Sequence, residues 1–340
     1  MRMKQVNPKS WPELKNDFLN LSEQLKLSFN LNIFHHQDGK HEYPLYSLIS
    51  NQQKYENIIY IIGGIHGKES IGVEIILNFL KEISNHKSLL NQNKIIIIPW
   101  INPIGIHRKT RSNHNSIDLM RNAQIKIDNR FGGSKLPLGS GHHLSPKIPW
   151  YAGKNNLLEI EPELKALENL IYSFWNDQTN NLNKSVTNRN IILDLHSGYG
   201  SVDSIWYPWA YQKQNFPFMD QIIKFKLMVQ ENYQWQSQSE AYLIAGDFWD
   251  YMTLKFLDFT RSQKSHSQKS HSQKPHCREL ENSFFIPLTL EMGSWSWIKQ
   301  NPLQIFRSLG LFYPYEKNEN KNVMEKHLPL LNFLLNFNFQ

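Results

Sequence analysis

The 340-residue chain carries a single cysteine, Cys277. No disulfide can form within it, and no cluster of cysteines can hold a metal. Apolar runs are short, none approaching 18 residues, so no helix is expected to span a membrane. The N-terminal MRMKQVNPKSWPELKNDFLN lacks the apolar stretch of a secretory signal. Nucleic-acid-binding motifs are missing too. These gaps lead us to expect a reduced, soluble, cytoplasmic protein with neither a membrane nor a nucleic acid as partner; they leave its oligomeric state open. The net charge of +7 would suit an anionic partner. Much of that surplus, however, lies in lysines scattered through loops and in one repetitive insert. Hydrophobic residues at 40% and aromatics at 13% suffice for a sizeable core.

LSFNLNIFHH and HEYPLYSLIS flank Gln37-Asp38-Gly39-Lys40 and predict a hairpin over residues 27–50. NIIYIIGG (57–64), KIIIIPWINP (94–103), NIILDLHSG (190–198) and FFIPLTLEMGSW (284–295) contain continuous apolar runs. Such runs are strands buried on both faces. Helical spacing predicts helices over 70–83, with Ile71, Ile75, Leu77 and Leu80 facing the core, over 161–175 and 216–233, and in NPLQIFRSLGLFYPY (301–315). Residues 104–157, with many Gly, Pro and Asn, read as functional loop. The alternation predicts an α/β fold, with a mixed, largely parallel central sheet and helices on both faces, in a single domain over 1–340. Residues 262–276 repeat SQKSH, SQKSH, SQKPH, too polar to build a core and so expected to be a mobile loop. A tolerated surface insert explains its His266, His271 and His276 better than metal binding with Cys277 does. The apolar tail 327–340 is expected to pack on the body as a helix rather than to bind a partner. His35-His36 and His142-His143 are expected to be solvated. The ten tryptophans, Trp206, Trp209, Trp295 and Trp297 among them, read as core or cleft wall, and Tyr199 as a cleft or packing residue.

In a doubly wound sheet the active site lies beyond the carboxyl ends of the strands. Past those ends stand His66 and Glu69, the basic His107-Arg108-Lys109-Thr110-Arg111, His196 and Glu291. Catalytic zinc takes three protein ligands, often two histidines and one glutamate. His66 and Glu69 are three apart, which at a helix start places both on one face. Gly63, Gly64 and Gly67 would let the backbone turn sharply there. His196 would complete the triad, and Glu291 could take a proton from an activated water.

The local motifs go further. GGIHGKESIG, NPIG, RSNHNSIDLMRN, LDLHSGYG and LTLEMG resemble, in order and rough spacing, the motifs of the M14 zinc metallocarboxypeptidases. PWYAGKNNLLEIEPEL (149–164) also resembles that family's segment between arginine loop and third ligand. The resemblance implies a zinc-carboxypeptidase-like fold forming one catalytic domain, with one zinc ion on His66, Glu69 and His196. It implies Glu291 as general acid/base and Arg111 as the arginine that polarises the scissile carbonyl. Arg108 is the rival for that role, since RKTRS also resembles longer relatives; counting back seven residues from Asp118 favours Arg111. Arg121 falls on the arginine that holds a substrate's terminal carboxylate, and Tyr251, in GDFWDY, on a substrate-capping tyrosine. Met120 departs from the pattern, which has an asparagine there. A thioether cannot donate to a carboxylate, whereas Arg121 alone can still grip one.

The reaction implied is hydrolysis of an amide bond at a peptide C-terminus. Two alternatives are a zinc-dependent deacylase of N-acyl amino acids and an amidase of cell-wall peptides. A non-catalytic zinc scaffold would require a missing catalytic residue, and none is missing.

Overall fold

The computed structural model describes residues 5–37, 42–85, 93–127, 140–154, 160–180, 188–229, 233–269 and 282–338. Eight strands form one sheet: β1 (Phe29–Phe34), β2 (Leu45–Ser50), β3 (Asn57–Gly63), β4 (Asn93–Ile98), β5 (Arg189–Ser197), β6 (Ser204–Tyr207), β7 (Gln234–Ser237) and β8 (Phe284–Met292). Their spatial order is β1-β2-β4-β3-β5-β8-β6-β7. The four central strands, β4, β3, β5 and β8, run parallel. β1 and β2 form the antiparallel hairpin at one edge, and β6 lies antiparallel to β8 at the other. This is the mixed, largely parallel sheet that the apolar runs predict, and β3 and β4 are buried along their whole length because both faces are covered. Alternate residues of β3 show it. Ile59 and Ile61 pack into a core with the helices Trp11–Gln24, Ser70–Asn85 and Leu328–Leu335. Ile58, Tyr60 and Ile62 pack into a second core with the helices Pro162–Asn180 and Phe248–Lys269. Successive side chains of a strand point to opposite faces, so a strand between two helical layers has no polar face to show.

The tail ends as a helix on the body, with Leu328, Leu330, Leu331, Leu334 and Leu335 buried. It is clasped at the start of the central strands. Asn93 Nδ2 donates to the carbonyls of Leu334, Leu335 and Phe337 at 3.2, 3.3 and 2.8 Å, and Asn57 Nδ2 to that of Phe337 at 3.3 Å.

Several expectations need correction. The helix Phe248–Lys269 runs through the first repeat unit and into the second, so residues 262–269 are not loop. Its buried half, with Phe248, Trp249, Met252, Phe256 and Phe259, nucleates a helix that propagates cheaply because no glycine or proline intervenes. Residues 270–281 and the side chains of 264–269, including His266, His271, His276 and Cys277, lie outside the described residues, as does the hairpin's Asp38-Gly39-Lys40. The expected functional loop begins with a short helix, Pro103–Arg108, capped by Asn102 Oδ1, which accepts from Gly105 N at 2.8 Å. The helix expected over 216–233 covers only Met219–Met228 before β7 begins. In 301–315 a 3₁₀ turn, Pro302–Phe306, replaces the expected helix. His36 and His142 are buried, not solvated.

Candidate active site

The ends of β3, β5 and β8 converge on a cleft of about 810 Å³. β3 runs into Gly64, whose φ of 57° turns the chain where a Cβ would crowd Val73, Trp100 and Ile106. Gly67 passes so close to Gly105 that a Cβ would lie 1.9 Å from its carbonyl carbon. Between these glycines His66 enters the cleft wall, and Glu69 follows just before the helix Ser70–Asn85. β5 contributes His196 and β8 contributes Glu291, direct partners in the parallel register.

His66 Nδ1 lies 2.9 Å from Glu69 Oε1, and His196 Nδ1 lies 3.0 Å from Glu69 Oε2. The outer nitrogens are tied down. His66 Nε2 donates to Asp118 Oδ1 at 3.1 Å, and His196 Nε2 to Asp194 Oδ2 at 2.8 Å. Asp194 is itself held by Trp249 Nε1 at 2.9 Å. Both Nδ1 atoms therefore face Glu69, and the buried His66 Nδ1 has no hydrogen-bond partner. Ligand atoms about 2.0–2.2 Å from one tetrahedral zinc ion lie roughly 3.3 Å apart, close to these separations. Two imidazoles oriented by carboxylates, plus a third carboxylate, are a zinc donor set; the residues present fit the ion.

Electrostatics in the site oppose burial. Burial would raise Glu69, but His66 and His196 outweigh it and hold the carboxyl well below its usual range. Burial would lower His196, but Asp194 and Glu69 raise it well above an ordinary histidine. A metal must therefore displace protons to bind. Burial and then the Glu69 carboxylate push Glu291 up to about 8, against His196, Arg111 and the Tyr199 N–H, which donates to Glu291 Oε1 at 3.1 Å. A carboxyl in that range exchanges its proton near neutrality.

Arg111 lines the cleft and donates from Nε to Asp118 Oδ2 at 2.7 Å and from Nη1 to Glu69 Oε1 at 3.3 Å. Arg121, buried, lines it too, and its Nη1 donates to the Met120 carbonyl at 3.0 Å. Met120 forms a thioether stretch of the same wall. Arg108 is exposed and is not among the lining residues, so of the two rival arginines the cleft contains Arg111. Tyr251 is not brought to the cleft either. It stands one turn inside the helix Phe248–Lys269, and its hydroxyl donates to Glu168 Oε1 at 3.1 Å. The cleft tyrosines are Tyr199 and Tyr242. Burial raises the Tyr242 hydroxyl, opposed by the nearby Arg121 and Arg111.

Tyr242 and the two supporting aspartates carry no role in the sequence reading. A signal existed for Asp194: in LDLHS it stands two residues before His196, hence on the same strand face. For Tyr242 the signal was Asp247, which caps the helix by accepting from Asp250 N at 2.9 Å. A tyrosine before that cap is in a loop, and one after it is in the helix.

The family model described as zinc carboxypeptidase matches residues 25–294. The chain belongs to the zinc carboxypeptidase family. Its members depend on zinc, and the triad His66, Glu69 and His196 is a candidate place for the ion. Among solved structures, bovine thrombin-activatable fibrinolysis inhibitor, in complex with tick carboxypeptidase inhibitor, is similar over 97% of both chains, with 17% identity and a TM-score of 0.63. Carboxypeptidase A from Helicoverpa armigera is similar over 95% of this chain and 74% of its own, with 14% identity and a TM-score of 0.54. A metallo-carboxypeptidase from Burkholderia cenocepacia covers 96% of this chain and 70% of its own, at 12% identity and a TM-score of 0.52. At these identities the likeness is one of fold. Among curated protein sequences none matches this chain.

Proposed function

We propose that the protein is a zinc-dependent metallocarboxypeptidase that hydrolyses the last amide bond of a peptide. The observation that carries this reading is the meeting, in one cleft, of the His66–Glu69–His196 triad, Glu291 and two arginines. His66, Glu69 and His196 would hold the ion. Bound zinc supplies Lewis acidity, polarising a carbonyl and acidifying water.

The chain's own residues do the rest. Glu291, with its raised affinity for a proton, accepts one from the attacking water and returns it to the leaving amine. Arg111, anchored by Asp118 and partly exposed to the cleft, faces the developing oxyanion; one such donor is typically worth about 3–4 kcal/mol. Arg121 pairs with the substrate's terminal carboxylate, a charge-assisted contact that does not need the amide Met120 lacks. Tyr242, which lines the same cleft, contacts the bound residue.

Glu291→Gln tests the assignment: zinc content should stay at the wild-type level while turnover falls at least ~100-fold. Full turnover in that variant would remove Glu291 from the mechanism. A panel of peptides with free or amidated C-termini, N-acyl amino acids and cell-wall peptides, with and without chelator, tests the substrate. Chelator-sensitive cleavage only of N-acyl amino acids or cell-wall peptides would replace the carboxypeptidase reading with a deacylase or amidase.

A further inference from the structure

Among the described residues a second group with metal-ligating chemistry lies outside the cleft. His36, just past β1, His114, in the loop between Arg111 and Asp118, and Glu163, in the first turn of the helix Pro162–Asn180, bring one ligand atom each within 4.8 Å of one another. His36 Nε2 is 3.2 Å and His114 Nδ1 is 3.6 Å from Glu163 Oε1. The two rings sit 5.1 Å apart. Glu163 is fully buried and His36 is 7% exposed.

Despite these short separations, neither His36 Nε2 nor His114 Nδ1 has a hydrogen-bond partner. His36 Nε2 is within reach of the carboxylate oxygen but misaligned with it, and His114 Nδ1 stops just short of bonding distance. A buried imidazole nitrogen left without a bond is costly. Two imidazole nitrogens that converge on one carboxylate oxygen without bonding it are arranged as ligands of a common centre are. Edges of a tetrahedron around a zinc-sized ion are roughly 3.3 Å, which the two separations bracket. Surrounding groups hold the cluster in place. Asn113 Nδ2 donates to Glu161 Oε2 at 2.7 Å and to Glu163 Oε1 at 3.2 Å, and Asn115 Nδ2 donates to Glu161 Oε2 at 2.7 Å. Asn113 Oδ1 accepts from the backbone of Asn115 and Ile117 and so stiffens the loop that presents His114.

We propose that His36, His114 and Glu163 form a second, structural site for a divalent transition metal of zinc's class. Two imidazoles and one carboxylate select such an ion over magnesium or calcium. The metal ties the N-terminal hairpin, the loop carrying Arg111 and Asp118, and the helix Pro162–Asn180 into one rigid wall behind the cleft.

The test is metal stoichiometry by elemental analysis of the full chain, loaded with zinc and freed of excess by gel filtration. His36→Ala and His114→Ala should each bind one equivalent fewer than wild type, while His66→Ala/His196→Ala keeps an equivalent that neither cluster variant keeps in that background. In wild type, cobalt titration followed by visible absorbance should saturate in two steps, a readout that needs no variant to fold. Wild-type stoichiometry in both single variants, or a single cobalt step in wild type that His66→Ala/His196→Ala abolishes, would overturn the site. Since the readout is metal bound and not substrate cleaved, it is independent of the reading of the cleft.

Discussion

At the scale of single residues, the cleft separates groups that sequence treats alike. Tyr242 and Tyr251 are nine positions apart, yet only Tyr242 lines the cleft, while Tyr251 is spent on Glu168. Tyr242→Phe should lower kcat/KM by about 10–100-fold, the usual worth of a hydrogen bond to a charged group, with zinc content unchanged. Tyr251→Phe should stay within about twofold of wild type; steady-state kinetics of the pair distinguishes them, and the reverse ranking would return the role to Tyr251. The histidines teach the same lesson. His66 and His196 are legible because each ends an apolar run. His36 is not, because a histidine beside a turn is buried only if other segments cover it, and the residues that face it, His114 and Glu163, are remote in sequence.

Elements carry the next layer. Continuous runs such as KIIII and NIILDL announce strands sandwiched between helices, and those strands set the ligands. β6 and β7, four residues each toward the sheet's edge, leave no comparable pattern; β6 exists because β8 offers it an open side, and β7 because β6 does. Within β5 the spacing of Asp194 and His196 makes the strand itself a fixture for one ligand. Asp194→Asn keeps the side chain's shape but removes the charge that orients His196. We expect zinc affinity to fall about 10–100-fold, measured by competition with a chromophoric chelator, while the far-ultraviolet circular dichroism is unchanged. Unaltered affinity would mean that β5 alone orients the ring.

For the molecule as a whole, strand order was the part no local pattern could reveal, since it depends on which long-range pairs close. The C-terminal region shows what such pairing does to stability. His327, between the helices Lys317–Lys326 and Leu328–Leu335, is buried, accepts from or donates to Tyr233 Oη at 2.9 Å through Nδ1, and faces Asp203 and Lys326. Burial, aided by Lys326 and opposed by Asp203, lowers it to about 4. The unfolded chain therefore takes up this proton first as the pH falls. Its contribution to stability is complete above about pH 6.5 and is lost between there and about pH 4, roughly 3 kcal/mol in all. Urea unfolding at pH 7 and pH 5 should show a loss that is reduced in His327→Gln; an equal loss in both proteins would assign the acid sensitivity elsewhere.

The clasp between that region and the sheet also has a consequence in time. Asn57 and the Phe337 carbonyl it holds are 280 residues apart. Translation at about 5–20 residues per second takes roughly 14–56 s to cover that distance. The metal ligands and Glu291 will all have been made before then, at the carboxyl ends of the strands. The opposite ends of β3 and β4 must wait: Asn57 can already donate to Asn93 Oδ1 at 2.9 Å, but the Asn93 amide still lacks the carbonyls it will hold. A nascent chain can thus assemble its chemistry before it can seal its sheet.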